Sequence, residues 1–273
     1  MKLMSIFGTR PEIIRLSKIF PLLDSNFDHV MVNTYQNYTT ELNKIFFKEL
    51  GIRSPDYNLG VATKNYGDEI SDVIKKSEKV LLKEKPDMIL ILGDTNSGLA
   101  AIPASHHGIK IAHLEAGMRS YDYRMPEEKN RIIIDHLSSI LLPYTQYSRE
   151  NLIRENIHPS KIFVVGNPII EVINSHIKKI DSSKILDKLK IKPNEYFLVT
   201  AHRSENVDDP DSLKQILEGL KKIHSKFGKK IIYPIHPRTL DKLKGMKIPK
   251  GITTTKPLGF IDFCKLEKNA LCM

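Results

Sequence analysis

The sequence predicts an α/β protein built as two doubly wound parallel sheets, Rossmann-like domains facing across a cleft, with the second incomplete. Three observations carry this. Short apolar runs alternate with amphipathic stretches, the pattern of parallel strands covered by helices on both faces. Polar clusters follow the apolar runs with unusual regularity. The pattern breaks into a Lys-, Ser- and Asp-rich stretch after Ile173, and a fresh β-α-β series begins after Pro193-Asn194. The length of 273 residues leaves room for two domains of ordinary size.

Taken in order, the first series of strands is Leu3–Phe7, His29–Asn33, Met88–Leu92, Lys110–Leu114, Ile140–Leu142 and Ile162–Val165. The second is Tyr196–Thr200, Lys230–Ile235 and Ile252–Thr255. Between them the 3.6-residue spacing predicts helices over Glu12–Leu23, Glu41–Leu50, Gly67–Glu84, Ser97–His107, Lys129–Ser139, Ser148–Asn156, Asp211–Phe227 and Phe260–Lys268. Pro11 falls where a first-turn proline is tolerated. The boundaries expected are a first domain over 1–168, a linker over 169–192 and a partial second domain over 193–273. Asn269–Met273 reads as the start of a buried strand with nothing after it. With only three complete strands before it, the second domain is expected to be on the order of 100 residues short of a full one.

Composition narrows the function classes. Cys264 and Cys272 are too few for a disulfide framework and form no CxxC site. Apolar runs such as Met88–Leu92 are too short to span a bilayer. The first segment reaches Arg10 and Glu12 after about five apolar residues, too few for a secretory leader, so a cytoplasmic protein is expected. The net charge of +10 is unevenly placed. Residues 1–168 hold 21 Lys and Arg against 20 Asp and Glu, and residues 169–273 hold 21 against 12. A basic second half suits a phosphate-bearing partner, or is the solvated face of helices carrying Lys214, Lys221, Lys222 and Lys226.

In open parallel sheets ligands bind beyond the carboxyl ends of the strands. There the sequence places Gly8–Glu12, Gly93–Thr95, Glu115–Gly117, Gly166–Pro168, His202–Glu205 and His236–Arg238. Asp94, Glu115 and Glu127 supply carboxylates for general acid and base work. Arg10, Arg131, His202, Arg203 and His236 supply cations and donors for a phosphorylated ligand. Each has a plainer reading. Asp94 can cap the helix near Ser97, Glu127 and Glu128 suit a helix start, and His106 and His107 suit a surface. Neither a Walker A pattern, GxGxxG nor HExxH occurs, which disfavours P-loop, dinucleotide and zinc chemistry.

The motifs GTRPE (Gly8–Glu12), KPD…GDT (Lys85–Thr95), HLEAGMR (His113–Arg119), MPEEKNR (Met125–Arg131), GNP (Gly166–Pro168), TAHRSEN (Thr200–Asn206) and YPIHPR (Tyr233–Arg238) occur in that order. This series resembles the non-hydrolysing UDP-N-acetylglucosamine 2-epimerases along essentially the whole chain. The resemblance implies the two-domain fold of glycosyltransferase B type. It also implies inversion at C2 of a UDP-N-acetylhexosamine by elimination and re-addition of UDP, for surface polysaccharide synthesis. It carries Asp94, Glu115, Glu127 and His202 over as catalytic residues. Arg10, Arg15, Arg131, Asn167, Arg203, Glu205 and His236 are carried over as substrate-binding. It implies no cofactor and no metal, a UDP-sugar as partner, neither nucleic acid nor membrane, and a homodimer.

Two positions depart from the family pattern: Arg15 stands where a lysine is usual, and Tyr35 where a glycine is usual. The form DYRMPEE (Asp122–Glu128) looks more like capsule-type relatives, some acting on 6-deoxyhexoses. The family's next segment, a Ser-Gly-rich loop and two glutamates that grip the diphosphate, would follow Met273. Other readings are an inactive fragment of the family, a glycosyltransferase of the same fold, and a nucleic-acid binder resting on the basic half alone.

Overall fold

The computed structural model describes residues 1–34, 46–61, 65–201, 209–235, 239, 242–243 and 248–273. They form two compact units, Met1–Val172 and Ile173–Met273.

The first unit is a six-stranded sheet of β1 (Lys2–Phe7), β2 (Asp28–Asn33), β3 (Tyr57–Asn58), β4 (Met88–Leu92), β5 (Lys110–Leu114) and β6 (Ile140–Leu142), in the order β3-β2-β1-β4-β5-β6. Every pairing is parallel. The strands are near-continuous apolar runs because helices cover both faces. On one face Met4, Ile6, Ile89, Ile91 and Ile111 pack with Val73, Val80 and Leu81 of α3 (Tyr66–Glu84) and Ile134 of α5 (Pro126–Leu137). On the other, Phe7 meets Phe20 with ring centroids 5.1 Å apart. Each fully buried aliphatic side chain here contributes about 2 kcal/mol.

Most expected elements are present, and the differences have local causes. The helix expected over Glu12–Leu23 is two, α1 (Arg10–Leu16) and α2 (Ile19–Asn26). Pro21 cannot donate to Ser17 and its ring would strike that carbonyl, so a continuous helix breaks there. The Ser17 hydroxyl also donates to the Ile14 carbonyl, at 2.7 Å. The helix expected from Ser97 opens as a 3₁₀ stretch, Asn96–Ala100, before α4 (Ala101–His106). Residues 46–50 are helical; the earlier part of the helix expected over Glu41–Leu50 lies outside the described residues.

Ile162–Val165 is not a full strand. It makes one bridge, Leu141 to Ile162, with hydrogen bonds from Phe163 to Leu141 and from Val165 to Pro143. The neighbouring β6 has only three residues to pair with. After it, α6 (Gln146–Arg154) is capped by Thr145, whose side chain accepts from the Ser148 N–H.

The stretch read as a linker, 169–192, instead carries α7 (Ile169–Ser182) and α8 (Ile185–Leu189). Its lysines mask an apolar face that includes the buried Val172, Ile180, Ile185 and Leu186. In the second unit β7 (Tyr196–Leu198), β8 (Lys230–Pro234) and β9 (Ile252–Thr255) form a parallel sheet ordered β7-β8-β9. Its helices α9 (Pro210–Phe227) and α10 (Phe260–Asn269) bury Leu213, Leu217 and Leu220, and Phe260, Cys264 and Leu266. Beyond α10 the chain pairs with the free side of β7. Leu271 donates to Tyr196 and Leu198 to Cys272, at 2.9 and 3.0 Å. A parallel bridge joins Phe197 and Cys272, so the expected strand start is there.

Candidate active site

The order β3-β2-β1-β4-β5-β6 reverses direction between β1 and β4, the crevice where doubly wound sheets hold ligands. Register places Ile6 beside Ile91, and Ile91 beside His113. The segments after β1, β4 and β5 therefore leave one edge of the sheet side by side. They carry Arg10, Asp94 and Glu115.

The first two segments are tied together by Glu12, which is fully buried. Its carboxylate accepts the Gly8 and Thr9 N–H groups at 2.9 and 2.6 Å, and the Thr95 hydroxyl at 2.7 Å. Burial pushes the Glu12 carboxyl above its usual range, and the donors at Gly8, Thr9 and Thr95 only partly offset this. The Arg10 Nε is buried with no hydrogen-bond partner among the described residues, while its guanidinium carbon lies 5.7 Å from the Phe46 ring. That donor is available to an anion.

The carboxylates gather beside two arginines. Arg131 of α5 pairs with Asp94 and lies 3.7 Å from Glu115 and 3.8 Å from Glu128. Arg15 of α1 pairs with Glu115. Asn130 donates to the Asp94 carbonyl, at 3.0 Å, holding the backbone as Arg131 holds the side chain. Asp94 is thus no helix cap; Thr95 occupies that position, without a side-chain cap bond. Glu115 has φ of +74° although it carries a side chain and is 6% exposed. Strain of this kind persists where the surroundings over-determine it, and it concentrates at functional sites.

Glu127 and Glu128 part company. Glu128 is buried and accepts the Ser120 and Tyr121 N–H groups, both at 2.9 Å. Burial would raise its carboxyl, but these donors, the Ser120 hydroxyl and the Arg119 charge outweigh it and hold it below its usual range. Glu127 is exposed at the start of α5. His106 and His107 are exposed, and His107 pairs with Glu78, which fits the surface reading.

A cavity of about 570 Å³ in the first unit is lined by Met118, Arg119, Arg131, Tyr144, Ser148 and Asn167, among others. The Tyr144 hydroxyl is buried there without a partner among the described residues. Burial pushes its phenol up to about 12, against the opposing charge of Arg15, so it stays a neutral donor. Asn167 is exposed and its Oδ1 accepts from the Ile169 N–H, opening α7. His202, Arg203, Glu205 and His236, like Tyr35, lie outside the described residues.

Sequence reasoning missed Glu12, His113, Arg119, Asp135 and Tyr144. One signal was available: Glu128, Arg131 and Asp135 are spaced i, i+3, i+7, one face of a helix whose Ile134 enters the core. Asp135 is 1% exposed, lies 2.7 Å from the His113 Nδ1, accepts from the Gly117 N–H at 3.1 Å, and pairs with Arg119 at 2.8 Å. Burial would raise its carboxyl, but His113 and Arg119 outweigh that and hold it below its usual range. Among the described residues no group of three or more His, Cys, Asp or Glu side chains could hold a metal ion, and no helix is long and apolar enough to cross a membrane.

Residues 23–273 match the family model described as UDP-N-acetylglucosamine 2-epimerase. The chain is 44% identical to the UDP-N-acetylglucosamine 2-epimerase of Methanocaldococcus jannaschii, over 99% of this chain and 77% of that protein. It is 34% identical to the UDP-2,3-diacetamido-2,3-dideoxy-D-glucuronate 2-epimerase of Pseudomonas aeruginosa, over 96% of this chain and 74% of that protein. Among solved structures, the M. jannaschii UDP-GlcNAc 2-epimerase in complex with UDP-GlcNAc and UDP superposes with a TM-score of 0.92 at 43% identity, covering 99% of this chain and 77% of that one. The fold class is α/β of the glycosyltransferase B type found in these enzymes. The chain belongs to the non-hydrolysing UDP-N-acetylglucosamine 2-epimerase family.

Proposed function

We propose that this chain is an isomerase that inverts C2 of the sugar in UDP-N-acetylglucosamine, interconverting it with UDP-N-acetylmannosamine for surface polysaccharide synthesis. The observation that carries the reading is the ion-paired cluster of Asp94, Glu115, Arg15 and Arg131 at the switch point of the first sheet, in a chain of this family.

The chemistry follows from the bonds involved. A carboxylate removes the C2 proton while the C1–O bond to UDP breaks, its electron pair leaving with the diphosphate. The products are 2-acetamidoglucal and UDP. Protonation of C2 on the opposite face and return of UDP to C1 give the epimer, with no net redox change. C2–H is a weak acid, so base and leaving-group stabilisation must act together. Asp94 and Glu115 are the candidates for the proton transfers, their carboxylates oriented by Arg131 and Arg15. Glu127, exposed at the head of α5, has the freedom to swing onto substrate. Arg10, with its unpartnered Nε, suits a phosphate oxygen. His202, Arg203, Glu205, His236 and Asn167 complete the proposed substrate set. The P. aeruginosa relative favours a second reading, a UDP-2-acetamido sugar bearing other substituents. A cytoplasmic homodimer is part of the proposal.

Incubation with UDP-N-acetylglucosamine in D2O, followed by NMR, tests it. Deuterium at C2 and formation of the manno epimer are expected, with an Asp94→Asn variant slower by roughly 100-fold or more. Folded protein that exchanges nothing with any UDP-2-acetamido sugar overturns it.

A further inference from the structure

His113 lies in β5 with its side chain fully buried, and both of its ring nitrogens face acceptors. Nδ1 is 2.7 Å from Oδ1 of Asp135, and Nε2 is 2.8 Å from the carbonyl oxygen of Gly93. A backbone carbonyl has only lone pairs to offer. The Asp135 carboxylate already accepts from the Gly117 N–H and the Arg119 guanidinium on its other oxygen, the setting of an ionised group. A neutral imidazole has one N–H. It would set lone pair against lone pair at one of the two contacts, in a place that water does not reach.

We propose that His113 is held as a doubly protonated imidazolium and that it is a positioning residue for Asp94 and Glu115 in the epimerisation. This rests on the function proposed above. The groups around the ring come from each neighbouring element: the Gly93 carbonyl after β4, Asp135 of α5, Arg119 after β5, and Glu155 beyond Arg119, at 2.6 Å. Asp135 and Glu155 set two negative charges against the one of Arg119, and Glu128 of α5 faces Arg119 as well, so a neutral ring leaves negative charge uncompensated.

The geometry gives the ring its task. Its Nε2–H fixes the direction of the Gly93–Asp94 peptide, and a planar trans peptide sends the Asp94 N–H the opposite way. Arg131, one helical turn before Asp135, holds the Asp94 carboxylate. Asp94 is therefore held at its backbone through His113 and at its side chain through α5. Glu115, left-handed in its backbone, follows His113 by two residues and precedes Gly117 by two, and the Gly117 N–H is bound to Asp135.

Two measurements test this, and the first needs no activity. In protein labelled with ¹⁵N-histidine and assigned through its backbone, both ring nitrogens of His113 are expected to show a directly bonded proton at neutral pH. One bare ring nitrogen overturns the proposal. In the C2-exchange assay, His113→Gln, which offers a donor to one acceptor only, and Asp135→Asn are expected to lower kcat roughly 100-fold with KM within about twofold. A raised KM with unchanged kcat overturns the positioning role. A wild-type chain that exchanges nothing speaks against the proposed function, and the ring protons then decide for His113.

Discussion

Asp135 shows what one buried carboxylate can hold. It joins β5, the turn after it and α5 through His113, Gly117 and Arg119. Removing one partner of such a pair leaves the rest uncompensated, so Asp135→Asn is expected to cost about 3–5 kcal/mol in urea unfolding at neutral pH. Because the folded chain depresses this carboxyl, the unfolded state takes up its proton more readily. The stabilisation is complete above the ordinary aspartate value of about 3.9 and is lost as pH falls through the depressed one. The part of the gap that this carboxyl contributes is therefore expected to be flat around neutrality and to close only below about pH 4. A gap that stays constant down to about pH 2 assigns the effect elsewhere. Residue by residue, the sequence made Asp94, Glu115 and Arg131 legible because each follows an apolar run or a helix start. Glu12 and Asp135 were not, because their roles are made by partners at sequence distances of 83 and 22 residues.

At the scale of elements, strands were easier to read than helix ends. Parallel strands buried on both faces are uninterrupted apolar runs, so Met88–Leu92 and Lys110–Leu114 were bounded to the residue. The break between α1 and α2 was written in Pro21, but the apolar spacing ran through it and hid it. The contact of α6 with the turn after β5 was invisible, since it depends on an absent side chain. A Cβ at Gly117, whose φ is +74°, would lie 2.2 Å from the Ser148 carbonyl oxygen. Gly108, at φ +69°, has open space around it. Gly117→Ala is thus expected to cost roughly 3 kcal/mol or more, combining backbone strain and displacement of α6, and Gly108→Ala about 1 kcal/mol. Equal urea midpoints for the two variants would remove the packing role of Gly117.

For the whole molecule, charge and site separate along the chain. The first unit holds the carboxylate cluster in a near-balanced sequence, and the excess charge lies in residues 169–273. There Lys214, Lys221, Lys222 and Lys226 are exposed along α9, as a solvated face requires. Any binding of this four-lysine face to duplex DNA is accordingly expected to be non-specific, falling by about 10²-fold between 50 and 200 mM salt. Sequence-selective affinity that survives the higher salt would give that face a nucleic-acid partner. The two-series organisation was legible because the strand–helix alternation restarts at Tyr196. The helices α7 and α8 were not, because a lysine-rich exterior disguises an amphipathic pattern as a linker.

The register of β5 against β4 has a consequence for how the gene can vary in length. Side chains alternate faces along a strand, so losing or gaining one residue inside Lys110–Leu114 exchanges the positions of His113 and Leu114 and turns Glu115 away from Arg15. The turn over Tyr121–Arg124 carries no such phase, since its residues are mostly exposed and its backbone is held by the turn's own Ser120 and Asp122 and by Glu128 on the following helix. A library of single-codon insertions and deletions should therefore divide sharply, with β5 barren and the 121–124 turn populated by functional variants.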